Sequence, residues 1–273
     1  MKARISRRLL AVLGLAAVLA LHGQERRLDP SLSDAQREKF LSSAKIVATR
    51  DIDQGATKPL RATLAGGSIQ HDAQIQVVDK ELPPFFGSDG TVVPMRDCWR
   101  FNVAAYKIDR LLGLQVVPVS VARAYNGKPA AMTWWVDNVR MTEVERLKQK
   151  LEPPDAEEFT RQMETGKVFD ELIINIDRNL GNLIVTHDWK VILIDHTRSF
   201  TPYHNIRNTE NLTRCSRRLF EGLKRLTEPA VVAAVGKHLT LPEVRALLSR
   251  RDKIVEYFDR RAQEKGEQEV FFP

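Results

Sequence analysis

The segment from Phe169 to Phe200 constrains the fold more than any other part of the chain. It opens with apolar residues at helical spacing, which predicts a helix that buries one face and ends at Asp177. Leu183–Thr186 and Val191–Ile194 then form two short apolar runs around a polar turn, the pattern of a β-hairpin. The loop after the helix and the loop after the second strand are therefore expected to lie side by side at one rim.

Three side chains with oxygen ligands occupy these two loops. Asn182 follows Asp177 by five positions, and Asp195 ends the second predicted strand. Hard divalent cations take oxygen ligands. Phosphoryl transfer needs one carboxylate to orient and deprotonate a hydroxyl, and further oxygens to hold Mg²⁺ on the phosphates. An isolated Asp-x-x-x-x-Asn is usually only a turn, but the helix, the hairpin and Asp195 together favour a site for a metal-bound phosphate.

Two loops and one longer stretch resemble a known group of kinases. Asn175–Asn182, NIDRNLGN, is similar to the NxDRxxxN catalytic loop of the atypical kinases related to the phosphatidylinositol 3-/4-kinases, the HipA-type kinases and the secretory-pathway casein kinases. Ile194–Phe200, IDHTRSF, is similar to their metal-binding loop. The resemblance also includes Asn102–Arg123, where a helix runs into a strand marked by Leu-Gly-Leu and Val-Pro. It covers most of the chain, weakly before residue 96.

The resemblance implies a role for each of these loop residues. Asp177 is the implied catalytic base, and Asn182 and Asp195 are the implied ligands of Mg²⁺ or Mn²⁺ carried by ATP or another nucleoside triphosphate. Arg178 is a further catalytic candidate that could pair with a phosphate or an acidic substrate, although a structural salt bridge to Asp195 or to a carbonyl is favoured. His196 is interpreted as a loop histidine and not as a metal ligand.

Two positions depart from the family pattern. Gln76 stands where a strand lysine normally binds the α- and β-phosphates, and Asn102 stands where its glutamate partner is expected. An ion pair is thus replaced by two amides, and these positions no longer supply charge to neutralise phosphate. Glycine-containing turns predict two hairpins in this half of the chain, Arg61–Leu64 with Gln70–Val78 and Val116–Ala124 with Ala130–Val136. Lys58 and Lys80, on the segments flanking the first hairpin, are candidate substitutes; the alternative for each is a solvated surface lysine.

The first 23 residues are typical of a secretory signal. Four basic residues precede an apolar run of thirteen residues, Leu9 to Leu21, which is short for a membrane span. We expect cleavage before Gln24 and export to the periplasm or the extracellular space, with an uncleaved membrane anchor as the alternative. Removing these residues lowers the net charge from +7 to +3, because the segment holds no acid. No nucleic-acid partner is therefore expected. Cys98 and Cys215 allow at most one disulfide bond.

The mature chain is long enough to bury a substantial core. We predict a two-lobed, protein-kinase-like α+β fold with a linker or N-terminal helix at 24–45, a β-rich N-lobe with one packed helix at 46–137, and a mostly helical C-lobe at 138–273. Trp134 and Trp135 point to opposite sides of a strand. One of them is expected in the core, and the other, for which Trp135 is our candidate, lines the nucleotide pocket or packs against the second lobe.

These observations predict an exported kinase-like phosphotransferase that moves a phosphoryl group from a nucleoside triphosphate to a hydroxyl. Protein, glycan and lipid acceptors all remain open. One alternative is a nucleotide-binding pseudokinase or scaffold without turnover, which the amides Gln76 and Asn102 favour. Another is an envelope binding protein that takes no nucleotide. ATP is scarce outside the cytoplasm, so an exported kinase would lack its usual phosphoryl donor. Either the protein uses a different donor, or it is not exported.

Overall fold

A five-stranded antiparallel sheet dominates the first half of the computed structural model, which describes residues 32–52 and 59–273. The helices and strands, in chain order, are α1 (Asp34–Ser43), β1 (Lys45–Asp51), β2 (Leu60–Gly66), β3 (Ile69–Gln76), β4 (Asp79–Phe86), β5 (Val92–Cys98), α2 (Arg100–Leu112), β6 (Ser120–Tyr125), β7 (Lys128–Trp134), β8 (Val139–Thr142), α3 (Glu143–Gln149), α4 (Ala156–Ile173), β9 (Leu183–Thr186), β10 (Val191–Leu193), β11 (Cys215–Ser216), α5 (Arg217–Arg225), α6 (Glu228–Val235), α7 (Leu241–Lys265), α8 (Glu267–Val270) and β12 (Phe271–Phe272).

The strand order of the large sheet is β1-β2-β3-β7-β6. Hairpins join β2 to β3 and β6 to β7, as the glycine-containing turns predict. At the second hairpin Asn126 and Gly127 have φ values of 49° and 75°, a left-handed pair that a two-residue turn between strands requires. Strands β4 and β5 form a separate two-stranded hairpin between β3 and α2.

Helices α1 and α2 pack on the sheet and on each other. Helix α1 starts at a capping box formed by Ser33 and Gln36. Glu38 of this helix accepts hydrogen bonds from the hydroxyl of Tyr106 at 2.6 Å and from the ammonium of Lys107 at 2.7 Å, both on α2. Helix α2 ends at Gly113, whose φ of 69° gives the left-handed cap that glycine accommodates best. These contacts fix the helix that carries Asn102 at its first turn.

The second half is mostly helical, with a small antiparallel sheet of order β10-β9-β8 beside α4. Helix α4 starts at the N-cap Asp155 and stops at Ile173, because Ile174 adopts a left-handed conformation with φ of 48°. The predicted end at Asp177 was therefore too late. The hairpin strands Leu183–Thr186 and Val191–Leu193 match the prediction to within one residue.

One continuous set of buried apolar side chains runs from the sheet through α2 to α4, α5 and α7. The α+β expectation is confirmed, with the β-rich part first and the helical part second. Cys98 and Cys215 are both buried and are not bonded to each other, so the disulfide that the sequence permitted is absent. None of the helices in the described residues combines the length and the hydropathy that a membrane span requires. Residues 1–31, which include the predicted signal, and Lys58 lie outside the described residues.

Candidate active site

The loop after α4 holds Asp177 at the rim of the helical part. Asn175 fixes the backbone of this loop: its amide donates to Asp170 on α4 at 3.2 Å, and its carbonyl oxygen accepts the Asp177 N–H at 3.1 Å. Asn175 itself is buried, whereas the Asp177 side chain is 48% exposed. A buried anchor thus presents an accessible carboxylate to solvent.

Arg178 joins helix α4 to both loops of the site. Its Nε and Nη2 donate to the two carboxylate oxygens of Asp170 at 2.8 and 3.0 Å. Its Nη1 donates to the backbone carbonyls of Asn182 at 3.0 Å and Ile194 at 2.6 Å. All three nitrogens are bonded, which agrees with the favoured structural use of Arg178: carbonyls were one expected partner, and the carboxylate partner is Asp170 where Asp195 was expected. A catalytic role for Arg178 stays a prediction.

The two loops lie side by side, as the hairpin predicted. The Ile194 N–H donates to the backbone carbonyl of Asn182 at 3.0 Å, which places Asn182 next to the strand end that leads to Asp195. Asp195 adopts a φ of 54°, a left-handed conformation that is uncommon outside glycine and is tolerated best by Asn and Asp. Its Oδ1 accepts the Thr197 hydroxyl at 3.0 Å. Burial raises the pKa of the Asp195 carboxyl, and the negative charge of Asp97 adds to the rise.

Backbone N–H groups also fix the Ile194–Phe200 loop, the proposed metal-binding loop. The His196 N–H donates to Oδ1 of Asn102 at 2.8 Å, so the amide at the expected glutamate position contacts this loop directly. The Cys98 N–H donates to the carbonyl of Thr197 at 2.8 Å. The His196 ring is fully enclosed, and burial lowers its pKa well below the ordinary value of 6.5. His196 is thus a neutral core residue, in agreement with its interpretation as a loop histidine.

Two residues of the site were not found from the sequence. Arg198 forms an ion pair with Asp177, Nη1 to Oδ2 at 3.0 Å, and its Nε donates to Asp97 at 3.0 Å. Arg198 lies three positions after Asp195 in the recognised loop, so its position was a usable signal. Asp97 is 101 positions away from Arg198 and ends strand β5, and no local pattern connects the two.

The N-terminal candidates occupy different surroundings. Gln76 is buried at the end of β3, where its Oε1 accepts the Val78 N–H at 3.2 Å. Lys80 lies on β4, is exposed, and forms no ion pair within the described residues.

Trp134 is buried and stacks on His71 with ring centroids 3.7 Å apart. Trp135 is half-buried beneath the guanidinium of Arg61 at 4.0 Å. The two tryptophans therefore differ as expected, and the nucleotide-pocket role of Trp135 stays a prediction.

The oxygen donors of the site fit a small, hard divalent cation. Asn182 supplies an amide whose side chain makes no hydrogen bond within the described residues, and Asp195 supplies a carboxylate. In the described part of the chain, no group of three or more His, Cys, Asp or Glu residues could hold a metal. Mg²⁺ is usually held by one or two carboxylates together with substrate phosphates and water. The set therefore suits a nucleotide-bound metal better than a metal held by protein alone.

The fold of the chain is similar to those of solved kinase structures. The structure of hydra Fam20 with sugar superposes with a TM-score of 0.66 at 16% identity, over 90% of this chain and 93% of that one. The chain has a kinase-like fold. The Golgi casein kinase, in a structure with Mn/ADP bound, gives a TM-score of 0.58 at 13% identity over 87% of this chain and 78% of the other. The Helicobacter pylori proinflammatory kinase CtkA gives 0.51 at 11% identity, over 82% and 98%.

No family model matches the sequence, and no curated protein matches it. The similarity to kinases is thus found by comparing structures and not by comparing whole sequences. It confirms the resemblance to the atypical kinases at the level of the fold, while the roles of individual residues remain predictions.

Proposed function

We propose that the protein transfers a phosphoryl group from a nucleoside triphosphate to a hydroxyl acceptor with the help of Mg²⁺ or Mn²⁺. The observation that carries this proposal is the meeting of two loops at one rim of a kinase-like fold, one with Asp177 and Asn182 and the other with Asp195. These are the acidic and amide groups that phosphoryl transfer needs. The Mn/ADP bound to the Golgi casein kinase supports the choice of nucleotide and metal.

Each residue has a distinct part in the proposed reaction. Asp177, exposed at the rim, orients the acceptor hydroxyl and takes its proton through the carboxylate oxygen that Arg198 does not hold. Asn182 and Asp195 hold the metal, which when bound neutralises charge on the phosphates. Arg178 keeps the two loops in register through Asp170 and two carbonyls.

Labelled-nucleotide transfer to a panel of acceptors tests the proposal. The panel includes a glycan and an acidic protein, because one structural neighbour is bound to sugar and another is a casein kinase. Transfer is expected with Mg²⁺ or Mn²⁺ and is lost with a chelator and in Asp177→Asn. Transfer that survives Asp177→Ala unchanged would rule out Asp177 as the base.

A pseudokinase is the second candidate, and the amides Gln76 and Asn102 favour it. Asn102 is engaged with the backbone of His196, so it serves the loop structurally without contributing charge. If this candidate is right, metal-dependent nucleotide binding persists while transfer to every acceptor stays at background.

We also propose that the protein is exported, on the basis of its first 23 residues. Fractionation of expressing cells, with N-terminal sequencing of the recovered protein, tests this. A mature N-terminus at Gln24 in the periplasm or the medium is expected, whereas a full-length cytoplasmic protein would contradict export.

A further inference from the structure

The positive charge that Gln76 does not supply must come from elsewhere if phosphate is to be bound and transferred. Lys80 is exposed and unpaired within the described residues. Arg178 has all three nitrogens bonded to Asp170 and to carbonyls. Arg198 differs from both, because it is attached to the proposed base and still has donors left.

The guanidinium of Arg198 lies between two carboxylates. Its Nη1 is 3.0 Å from Oδ2 of Asp177, and its Nε is 3.0 Å from Oδ2 of Asp97. Its Nη2 makes no hydrogen bond within the part of the chain that the structure describes. The side chain is 27% exposed, and Nη2 is not one of the buried nitrogens without a partner in the described residues, which leaves it open to a ligand. A guanidinium fixed by two of its nitrogens keeps a planar donor edge that suits phosphate oxygens.

Asp97 is placed to anchor Arg198 and not to bind a ligand from solvent. It is fully buried at the end of β5, and its Oδ1 has no hydrogen-bond partner among the described residues. Although burial alone would lower the pKa of Arg198, the hydrogen bond to Asp97 and the charges of Asp177, Asp97 and Asp195 raise it. Arg198 therefore stays charged beside three carboxylates, and the negative charge in excess is suited to a divalent cation.

We propose that Arg198, positioned by Asp97, binds the transferred phosphoryl group and supplies the charge that the strand residue Gln76 lacks. The inference rests on the proposed function. In the reaction, the acceptor oxygen bonds to the terminal phosphorus while the bond from phosphorus to the leaving diphosphate oxygen breaks. The hydroxyl proton passes to Asp177. Arg198 donates hydrogen bonds from Nη2 to the phosphoryl oxygens and changes none of its own bonds, as an arginine that stabilises phosphoryl transfer does.

Nucleotide binding tests this without requiring turnover. Calorimetry with Mn²⁺ and a non-hydrolysable nucleoside triphosphate, or with Mn²⁺ and the diphosphate, compares wild type, Arg198→Gln, Arg198→Lys and Arg96→Gln. Arg96 is the matched control, because it lies beside Asp97 on β5 but pairs with Asp79 on β4, away from Arg198. Arg198→Gln is expected to weaken triphosphate binding about 10- to 100-fold, the range for losing a charged hydrogen bond, and to affect the diphosphate much less. Arg198→Lys keeps part of the preference, and Arg96→Gln keeps all of it.

Two further comparisons separate positioning from folding. Because Asp97 acts through Arg198, Asp97→Asn lowers the triphosphate preference, and the double variant with Arg198→Gln shows no loss beyond Arg198→Gln alone. Adding Gln76→Lys to Arg198→Gln returns part of the preference, since a cation is restored from the strand side. Melting curves of the ligand-free variants show whether each one folds, and Arg198→Lys serves if Arg198→Gln does not.

The outcomes distinguish this inference from the function it rests on. The role of Arg198 is overturned if Arg198→Gln keeps the wild-type preference for triphosphate, or if Lys58→Ala and not Arg198→Gln loses that preference. In either case, phosphoryl transfer by the wild type that depends on Asp177 would still support the proposed function. Additive losses for Asp97→Asn and Arg198→Gln overturn the positioning role of Asp97. A wild-type protein that binds no nucleotide with any divalent metal overturns both the inference and the proposed function.

Discussion

The two sides of the candidate site are built differently. On the C-terminal side, Asp177, Asn182 and Asp195 keep the groups that the kinase-like pattern implies, and Arg178 ties their loops to α4. On the N-terminal side, β3 and α2 carry amides at the two positions where the sequence resemblance predicts an ion pair. The buried amide of Asn102 still serves the site, but by accepting the His196 N–H. Helix α2 thus holds the Ile194–Phe200 loop through a neutral hydrogen bond and brings no charge to the proposed phosphate site.

The largest expected effect is loss of the metal site itself. Asp195→Asn replaces the only carboxylate among the proposed ligands, so nucleotide with Mn²⁺ should no longer raise the melting temperature. In the wild type, ligand at about 100 times its Kd stabilises the folded state by about 2.7 kcal/mol. Thermal melting with and without ligand measures this. Asp188→Asn, in the exposed turn of the same hairpin, is the matched control and should keep the shift. A full shift in Asp195→Asn would remove Asp195 from the site.

Removing the base should affect turnover and spare binding. Asp177→Asn is expected to lower the rate of label transfer by about 10² to 10⁴, the usual contribution of a general base. Its nucleotide-dependent melting shift should stay close to that of wild type, because the base acts on the acceptor. Equal loss of both properties would indicate that Asp177 holds the nucleotide.

A structural contact tests how strongly the C-terminal side is held together. Arg178→Ala leaves the buried Asp170 without its charged partner, which is expected to lower the free energy of unfolding by about 3–5 kcal/mol. Arg161→Ala, on the helix α4 that carries Asp170, removes an exposed pair with Glu157 and should lower the free energy of unfolding by less than about 1 kcal/mol. Denaturant unfolding compares the two variants. Similar small losses would contradict the anchoring role of Arg178.

The stability of the folded chain should depend on pH through His196, whose backbone N–H bonds Asn102 of α2. Because burial lowers the pKa of His196, the unfolded chain binds a proton below about pH 6.5 that the folded chain does not. This stability is present above pH 6.5 and is lost as the pH falls from there toward the lowered pKa, by at most about 1.4 kcal/mol per pH unit. Denaturant unfolding between pH 6.5 and 5.5 should therefore show a shallower loss in His196→Gln than in wild type. Equal slopes would show that His196 accepts a proton in the folded state.

The smallest effect is expected for Lys80. Since its side chain is exposed and unpaired among the described residues, Lys80→Ala should change stability by less than about 0.5 kcal/mol and leave transfer nearly unchanged. Initial rates with labelled nucleotide check this. A loss of about 10² to 10³, the scale for one electrostatic donor, would place Lys80 on the phosphates and return the missing charge to the N-terminal side.

Short-range sequence patterns were enough to predict the local elements of the site. Apolar periodicity gave the helix before Asp177, and the short apolar runs gave the hairpin whose closure brings Asn182 beside the strand end at Asp195. Such features follow from contacts between residues close in the chain, where spacing alone carries the information. The helix end was placed too late because Ile174 takes a left-handed cap, which no apolar pattern signals.

The partners of the charged residues, by contrast, depend on the packed fold. Arg178 was expected to bond Asp195 or a carbonyl, and it bonds two carbonyls and Asp170, on the preceding helix. Asp97 meets Arg198 across 101 positions because the end of β5 lies beside the Ile194–Phe200 loop, where the Cys98 N–H also donates to the Thr197 carbonyl. Long side chains can reach several partners at similar distances, and burial selects the pairs that leave least charge unpaired. That selection depends on the whole fold, so the spacing of residues along the chain does not contain it.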